Sequence, residues 1–289
     1  MSPRLTVDAI RAKKSQGEKI TMLTAYDFSC ATWVDRAGVD VVLVGDSLGM
    51  VMLGYKTTAA VTMVEMLHHA RAVCRAVTHA LVVGDLPKEA LDAAPHDLER
   101  HARSFLGVGC GAVKIEWRPR IETVVRRLTD RGIAVMGHVG LTPQSVAESS
   151  GFHVQGRTAQ AAVLIVEAAR KLEAAGCFSL VLECVPEPVA AEVTRAVGIP
   201  TIGIGAGPST DGQVLVLQDV LGLYPLFSPK FVKKYTNLGD AIVQAVEAYR
   251  ADVIAGRFPA TEHAFTMDPS ELQQFRAQLA GPQRAQARS

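Results

Sequence analysis

VDVVLVGD, residues 39–46, carries the pattern from which the architecture follows. It follows Arg36-Ala37-Gly38, so a helix-like segment closes on glycine and an aliphatic, β-branched run comes next, ending on the carboxylate of Asp46. Glycine just past a helix supplies a left-handed C-cap, and a continuous aliphatic run suits a strand buried on both faces of a parallel sheet. The same unit recurs as Val108-Gly109 into CGAVKIE, Arg131-Gly132 into IAVMGH, Ala175-Gly176 into CFSLVLE and Val197-Gly198 into IPTIGIG. THALVVGD adds a further acid, so the runs end on Asp46, Asp85, Glu116, His138, Glu183 and Gly205.

Working outward, eight stretches read as strands: 19–25, 41–46, 80–85, 112–116, 134–140, 179–185, 200–207 and 213–220. The last also reads as an amphipathic helix. Helical patterns separate most of them. Thr62-x-x-Glu65 predicts a capping box, and Asp97 and Thr158 are expected N-caps. A leading helix, TVDAIRAKKSQG, is expected outside the first strand. Alternation of strand and helix implies a parallel sheet, and eight strands permit closure, which predicts an α/β fold of the (β/α)8 TIM barrel kind. An open doubly wound sheet is the rival. The barrel is expected over 1–266 with its N-terminal helix, and the Gln/Arg-rich segment 267–289 as a polar C-terminal helix or tail.

The 289 residues are 48% hydrophobic and 20% charged, and 30 basic side chains meet 29 acidic ones. A formal charge of +1 makes no electrostatic case for nucleic acid or a membrane surface. The five cysteines are odd in number and scattered without C-x-x-C spacing, so reduced thiols are expected rather than disulfides or zinc. No apolar run reaches transmembrane length and MSPRLTVDAIRAKKSQ lacks a signal-peptide core, which predicts a soluble cytoplasmic protein.

Chemistry in such a barrel gathers at the carboxyl ends of the strands. Asp46 and Asp85 each end an aliphatic run after a glycine, and a carboxylate there is costly to desolvate without a cation. Two of them at one mouth suit Mg²⁺, though each could instead cap a helix or pair with Lys114. Lys114 and Glu116 are two apart on one strand and share a face. They read either as an ion pair or as a substrate-holding cation beside a metal-associated acid. His138 ends its own strand, as a catalyst or a hydrogen-bonded core residue. Glu183, after Leu180-Val181-Leu182, is expected to be partly desolvated and a proton acceptor, with a salt bridge as the alternative. The glycines of TIGIGAGP do not match G-x-G-x-x-G and read as tight turning or close approach to a flat ligand.

VGDSLGMVMLGY (44–55), HALVVGDLP (79–87), AVKIE (112–116), VMGHVGLTPQS (135–145), FHVQGRT (152–158), LVLECVP (180–186), IPTIGIGAGPSTDGQVLVLQDVLGL (199–223) and PKFVKKY (229–235) together resemble the ketopantoate hydroxymethyltransferase family, over about residues 6–259. The resemblance implies a (β/α)8 barrel, Mg²⁺, 5,10-methylenetetrahydrofolate as one-carbon donor to a 2-oxo acid, and a homodecamer. It implies metal on Asp46 and Asp85 with Glu116 associated, the 2-oxo acid on Asp46, Ser47, Asp85 and Lys114 with His138 lining the site, and Glu183 as general base. The chain departs from the family pattern at Lys88-Glu89-Ala90-Leu91 and at Trp117-Arg118, beside the expected metal, so altered folate affinity is expected. Another Mg²⁺-dependent 2-oxo acid lyase or mutase, or a non-catalytic paralogue, would share the barrel.

Overall fold

The computed structural model describes residues 4–145 and 153–286. Eight parallel strands close into a barrel in sequence order: β1 Ile20–Thr24, β2 Val41–Val44, β3 Leu81–Asp85, β4 Ala112–Glu116, β5 Val135–Gly140, β6 Ser179–Glu183, β7 Thr201–Ile204 and β8 Gly212–Leu215. Closure comes from β1 pairing with β2 on one side and with β8 on the other, from Ile20↔Gly212 to Leu23↔Leu215. The open-sheet alternative is thereby excluded.

Alternation within each strand sorts side chains into two cores. Ile20, Met22, Val41, Leu43, Leu81, Val83, Met136 and Val181 point inward and fill the barrel. Val42, Val44, Val82, Val113, Leu180 and Leu182 point outward against Val34, Met66, Phe105, Val125 and Leu172 of the surrounding helices. Each such side chain, fully buried, contributes roughly 1.5–3 kcal/mol. Four of the five repeat glycines, Gly38, Gly109, Gly132 and Gly176, have φ of +79°, +107°, +76° and +99° as the C-cap reading requires. Gly198 differs. Its helix, Glu187–Ala196, ends on extended Val197, and the Gly198 N–H donates to Glu173 at 2.6 Å instead.

Thr62 and Glu65 form the capping box, and Thr158 accepts from the Ala161 N–H. Asp97 is not a cap. Its helix starts earlier, at Pro95 with Ala94 as N-cap, because proline suits the first helical position; Asp97 sits in the first turn, where a carboxylate meets the positive end of the helix. The segment 213–220 is both of its readings in succession: strand to Leu215, then a helical turn Leu217–Val220. The leading helix, Val7–Gln16, belongs at the bottom of the barrel rather than outside β1. Its buried Ile10 joins the interior core, and Lys13 and Lys14 reach Asp40 (2.8 Å) and Asp211 (3.0 Å), which also accept from Thr21 and Thr201 of the strands. That end is plugged, which leaves the carboxyl ends as the open mouth.

The barrel unit runs through Asn237, and a second compact unit begins at Leu238. It contains the helices Leu238–Ile254 and Pro269–Gln286. Among the described residues no helix is long and apolar enough to cross a membrane.

Candidate active site

Register places the charged strand ends side by side. Asp85 pairs in register with Lys114; Glu116, two residues further along β4, pairs with His138; and Glu183 stands two residues beyond the partner of His138 on β6, so the inward-pointing groups climb in steps from β3 to β6. Together with Asp46 and Ser47, just beyond β2, these seven side chains line a cavity of about 90 Å³ inside the mouth. All the side chains singled out as site candidates from the sequence therefore meet at one place.

Lys114 Nζ donates to Asp85 Oδ2 at 2.7 Å, both groups being almost fully buried. The sequence left open a Lys114–Glu116 pair; Lys114 turns instead to the neighbouring strand. Glu116 faces His138, whose Nδ1 lies 3.4 Å from Glu116 Oε1 and whose Nε2 lies 3.2 Å from Glu183 Oε2, in both cases without hydrogen-bond alignment. The imidazole is thus held between two carboxylates. Burial and the Lys114 charge both lower its pKa, but Glu116 and Glu183 outweigh them and push it up to about 9. Burial likewise pulls the Lys114 ammonium down, while Asp85, Glu116 and Asp46 more than offset that and hold it above its ordinary range. Asp46 is pushed up to about 8 by burial and then by the neighbouring Asp85 charge, and burial raises Asp85 as well.

Four carboxylates against one ammonium and one imidazole leave an excess of negative charge when all are ionised. Asp85 Oδ1 and Glu116 Oε1 are buried and accept no hydrogen bond among the described residues. Oxygen donors of this kind, lacking partners and crowded with like charge, fit a hard divalent cation. Among the described residues no three acidic, His or Cys side chains converge into a metal-ligand cluster.

Three further residues were not singled out from the sequence. Gln144, in the turn after β5, donates from Nε2 to Asp46 Oδ2 (2.9 Å) and to the Leu86 carbonyl (3.0 Å), and its backbone N–H donates to Glu116 Oε2 (3.2 Å). Tyr26, two residues past β1, places its hydroxyl 2.8 Å from Ser47 Oγ, and burial raises its phenol. Thr58 lines the cavity with its hydroxyl buried. The strand-end rule, applied to TAYD after β1, would have found Tyr26; Gln144 lay inside the VMGHVGLTPQS motif. Among the glycines of TIGIGAGP, Gly205 and Gly207 turn tightly at φ of +63° and +78°, and they also admit close neighbours: a Cβ on Gly205 would meet the Phe231 ring at 2.7 Å, and one on Gly207 would meet Glu187 at 2.4 Å.

A family model described as ketopantoate hydroxymethyltransferase matches residues 4–261. The chain belongs to this family of transferases. Relatives named 3-methyl-2-oxobutanoate hydroxymethyltransferase include one from Syntrophomonas wolfei, 50% identical over 93% of this chain and 98% of that one. Another, from Nitratidesulfovibrio vulgaris, is 53% identical over 96% and 90%. Solved structures of similar fold include a phosphoenolpyruvate phosphomutase from Streptomyces platensis (TM-score 0.58, 17% identity, 97% and 99% covered). A phosphonopyruvate hydrolase in complex with oxalate and Mg is also similar (TM-score 0.58, 15% identity, 98% of each chain). At that identity the likeness concerns the barrel alone.

The two segments that depart from the family pattern meet at the rim. Lys88 opens the helix Lys88–Asp92 and pairs with Asp92, which also accepts from Arg118 at 3.0 Å. Lys171 stands 5.9 Å above the Trp117 ring, and Glu89 accepts from the Met63 N–H at 2.6 Å. Phe152 of the FHVQGRT motif lies outside the described residues.

Proposed function

We propose that this enzyme transfers the one-carbon unit of 5,10-methylenetetrahydrofolate, with the oxygen of one water, to 3-methyl-2-oxobutanoate as a hydroxymethyl group, giving 2-dehydropantoate and tetrahydrofolate, with Glu183 as the base that removes the C3 proton. The observation that carries the role of Glu183 is exposure. Its side chain is 19% exposed at the cavity wall, whereas Asp85 and Glu116 are 1% and 2% exposed behind it. One carboxylate is open to a substrate proton, and the others are set back as a fixed negative cluster.

Asp46 and Asp85 would hold Mg²⁺, with Glu116 associated through water. When bound there, the ion supplies Lewis acidity that steadies negative charge developing on the 2-oxo group. Lys114 neutralises part of the substrate's carboxylate charge from a position locked by Asp85. Ser47, held by Tyr26, adds a hydrogen-bonding hydroxyl. His138, between Glu116 and Glu183, draws both carboxylates by charge, its Nε2 3.2 Å from Glu183. The proton leaves C3 for Glu183; water hydrolyses the methylene bridge of the folate donor, its two hydrogens going to the folate nitrogens as both C–N bonds break, and the C3 nucleophile bonds to the released one-carbon unit, whose oxygen takes the proton back from Glu183. A cavity of about 90 Å³ is well below the roughly 300–1,000 Å³ of drug-sized sites, so it suits the compact acid, with the bulky donor approaching from the rim.

Purified protein should form 2-dehydropantoate only when both folate donor and divalent metal are present. Product formed from a 2-oxo acid with folate omitted would favour a lyase or mutase instead. Glu183→Gln keeps size and polarity and should slow C3 hydrogen exchange in deuterated water by about 10²–10⁴. Exchange at the wild-type rate would assign the base elsewhere. We also propose the homodecameric state and a cytoplasmic location, and sedimentation velocity of the native protein tests the former.

A further inference from the structure

Away from the mouth, two thiols are placed for chemistry that hydroxymethyl transfer does not use. Cys74, near the end of the helix Met63–Ala76, and Cys110, two residues before β4, bring their Sγ atoms to 3.7 Å. Both are free thiols; Cys110 is buried and Cys74 only partly so. The approach is held by the backbone. Arg4 donates to the carbonyls of Cys74 (3.3 Å), Gly109 (3.0 Å) and Val77, clasping the helix end to the turn before β4. Gly109, at φ +107°, lets the turn come close: a Cβ there would stand 3.2 Å from Cys74 Cβ. A disulfide needs about 2.05 Å between sulfurs, so rotation of the two side chains has to close less than 2 Å.

We propose that Cys74 and Cys110 form a thiol–disulfide exchange site, oxidised reversibly by small disulfides of the glutathione class, with Cys74 attacking and Cys110 resolving. The order follows from access and acidity. Cys74 is the more accessible member, and the hydrogen bond from Cys110, aided by the Arg4 charge, lowers its thiol pKa against the effect of burial. The Cys110 thiol is raised, first by that same hydrogen bond and then by burial. The Cys74 thiolate attacks one sulfur of the small disulfide, forming a mixed disulfide and releasing one thiolate. Cys110 then gives up its proton and attacks Cys74 Sγ, expelling the second. The protein loses two electrons and two thiol protons, and the small disulfide gains both as two thiols. The new bond ties the helix end to the turn that feeds β4, four residues before Lys114.

The full-length protein is incubated with excess oxidised glutathione, quenched by alkylation, digested and analysed by mass spectrometry. A linked pair of peptides containing Cys74 and Cys110, lost on adding dithiothreitol, is expected, with Cys30, Cys177 and Cys184 still alkylated. In Cys110→Ser the Cys74–glutathione adduct should accumulate, and in Cys74→Ser the thiol of Cys110 should stay unmodified. A lasting glutathione adduct on wild-type Cys74 without the linkage would overturn the proposal, as would absence of any reaction at Cys74. The wild-type arm decides even if either variant folds poorly.

Discussion

Gln144 reaches across three strand ends at once, holding Asp46, the Leu86 carbonyl and Glu116. If Asp46 binds the metal, its orientation depends on that amide, and losses at such supporting positions typically cost 10–100-fold in metal affinity. Gln144→Ala should therefore weaken Mg²⁺ binding by about 10-fold or more in calorimetric titration, while thermal stability falls modestly. Unchanged affinity would remove Gln144 from the site's support. Gly84 makes a steric demand next to Asp85. An added Cβ would stand 2.3 Å from Phe105 Cδ1, with the ring filling the space behind β3. Gly84→Ala should destabilise by about 1–3 kcal/mol through overpacking, read as a lower Tm; an unchanged Tm would mean the ring moves freely.

Among the elements, the rim segments 88–91 and 117–118 are where the family resemblance predicts altered folate affinity. The helix Lys88–Asp92 and the turn after β4 are joined by Asp92–Arg118, an exposed pair of a kind worth about 0–1 kcal/mol. Replacing Trp117-Arg118 by Gly-Gly should shift the folate KM by up to roughly five-fold and leave the 2-oxo acid KM nearly unchanged. Equal shifts in both would place the rim's influence inside the cavity. Elements also show which local signals survive folding. The Thr62 box formed because cap and acceptor are three residues apart and need nothing else. Asp97 lost its role to Pro95, whose ring is already shaped for the first turn.

For the whole molecule, the acids at the closed end of the barrel tie stability to pH. Asp35 accepts from the N–H groups of Thr78, His79 and Ala80 and from the Thr78 hydroxyl, anchoring the segment that leads into β3. Burial raises its pKa, but these donors more than offset the rise and hold it below the ordinary value; Asp40, with Lys13 and Thr21, is lowered in the same way. Folded pKa values below the unfolded ones mean stability that is present above about pH 4 and lost as pH falls through the folded values. Asp35→Asn should lower Tm at pH 7, by about 2–3 kcal/mol of stability, and flatten the decline below pH 4. A variant as acid-sensitive as the wild type would shift the burden to other carboxylates.

The barrel and the set of groups at its mouth were legible from the residues alone. A helix closing on glycine, an aliphatic run and a polar terminus repeat often enough to specify parallel strands, and strand period alone puts Lys114 and Glu116 on one face. Tertiary structure decided who meets whom. Lys114 turned to Asp85, Glu116 and Glu183 took opposite nitrogens of His138, and the leading helix became a plug, because strand register and barrel closure set distances between segments up to two hundred residues apart. Gln144 stayed hidden for the same reason: nothing in its local pattern records which strand ends lie across from it.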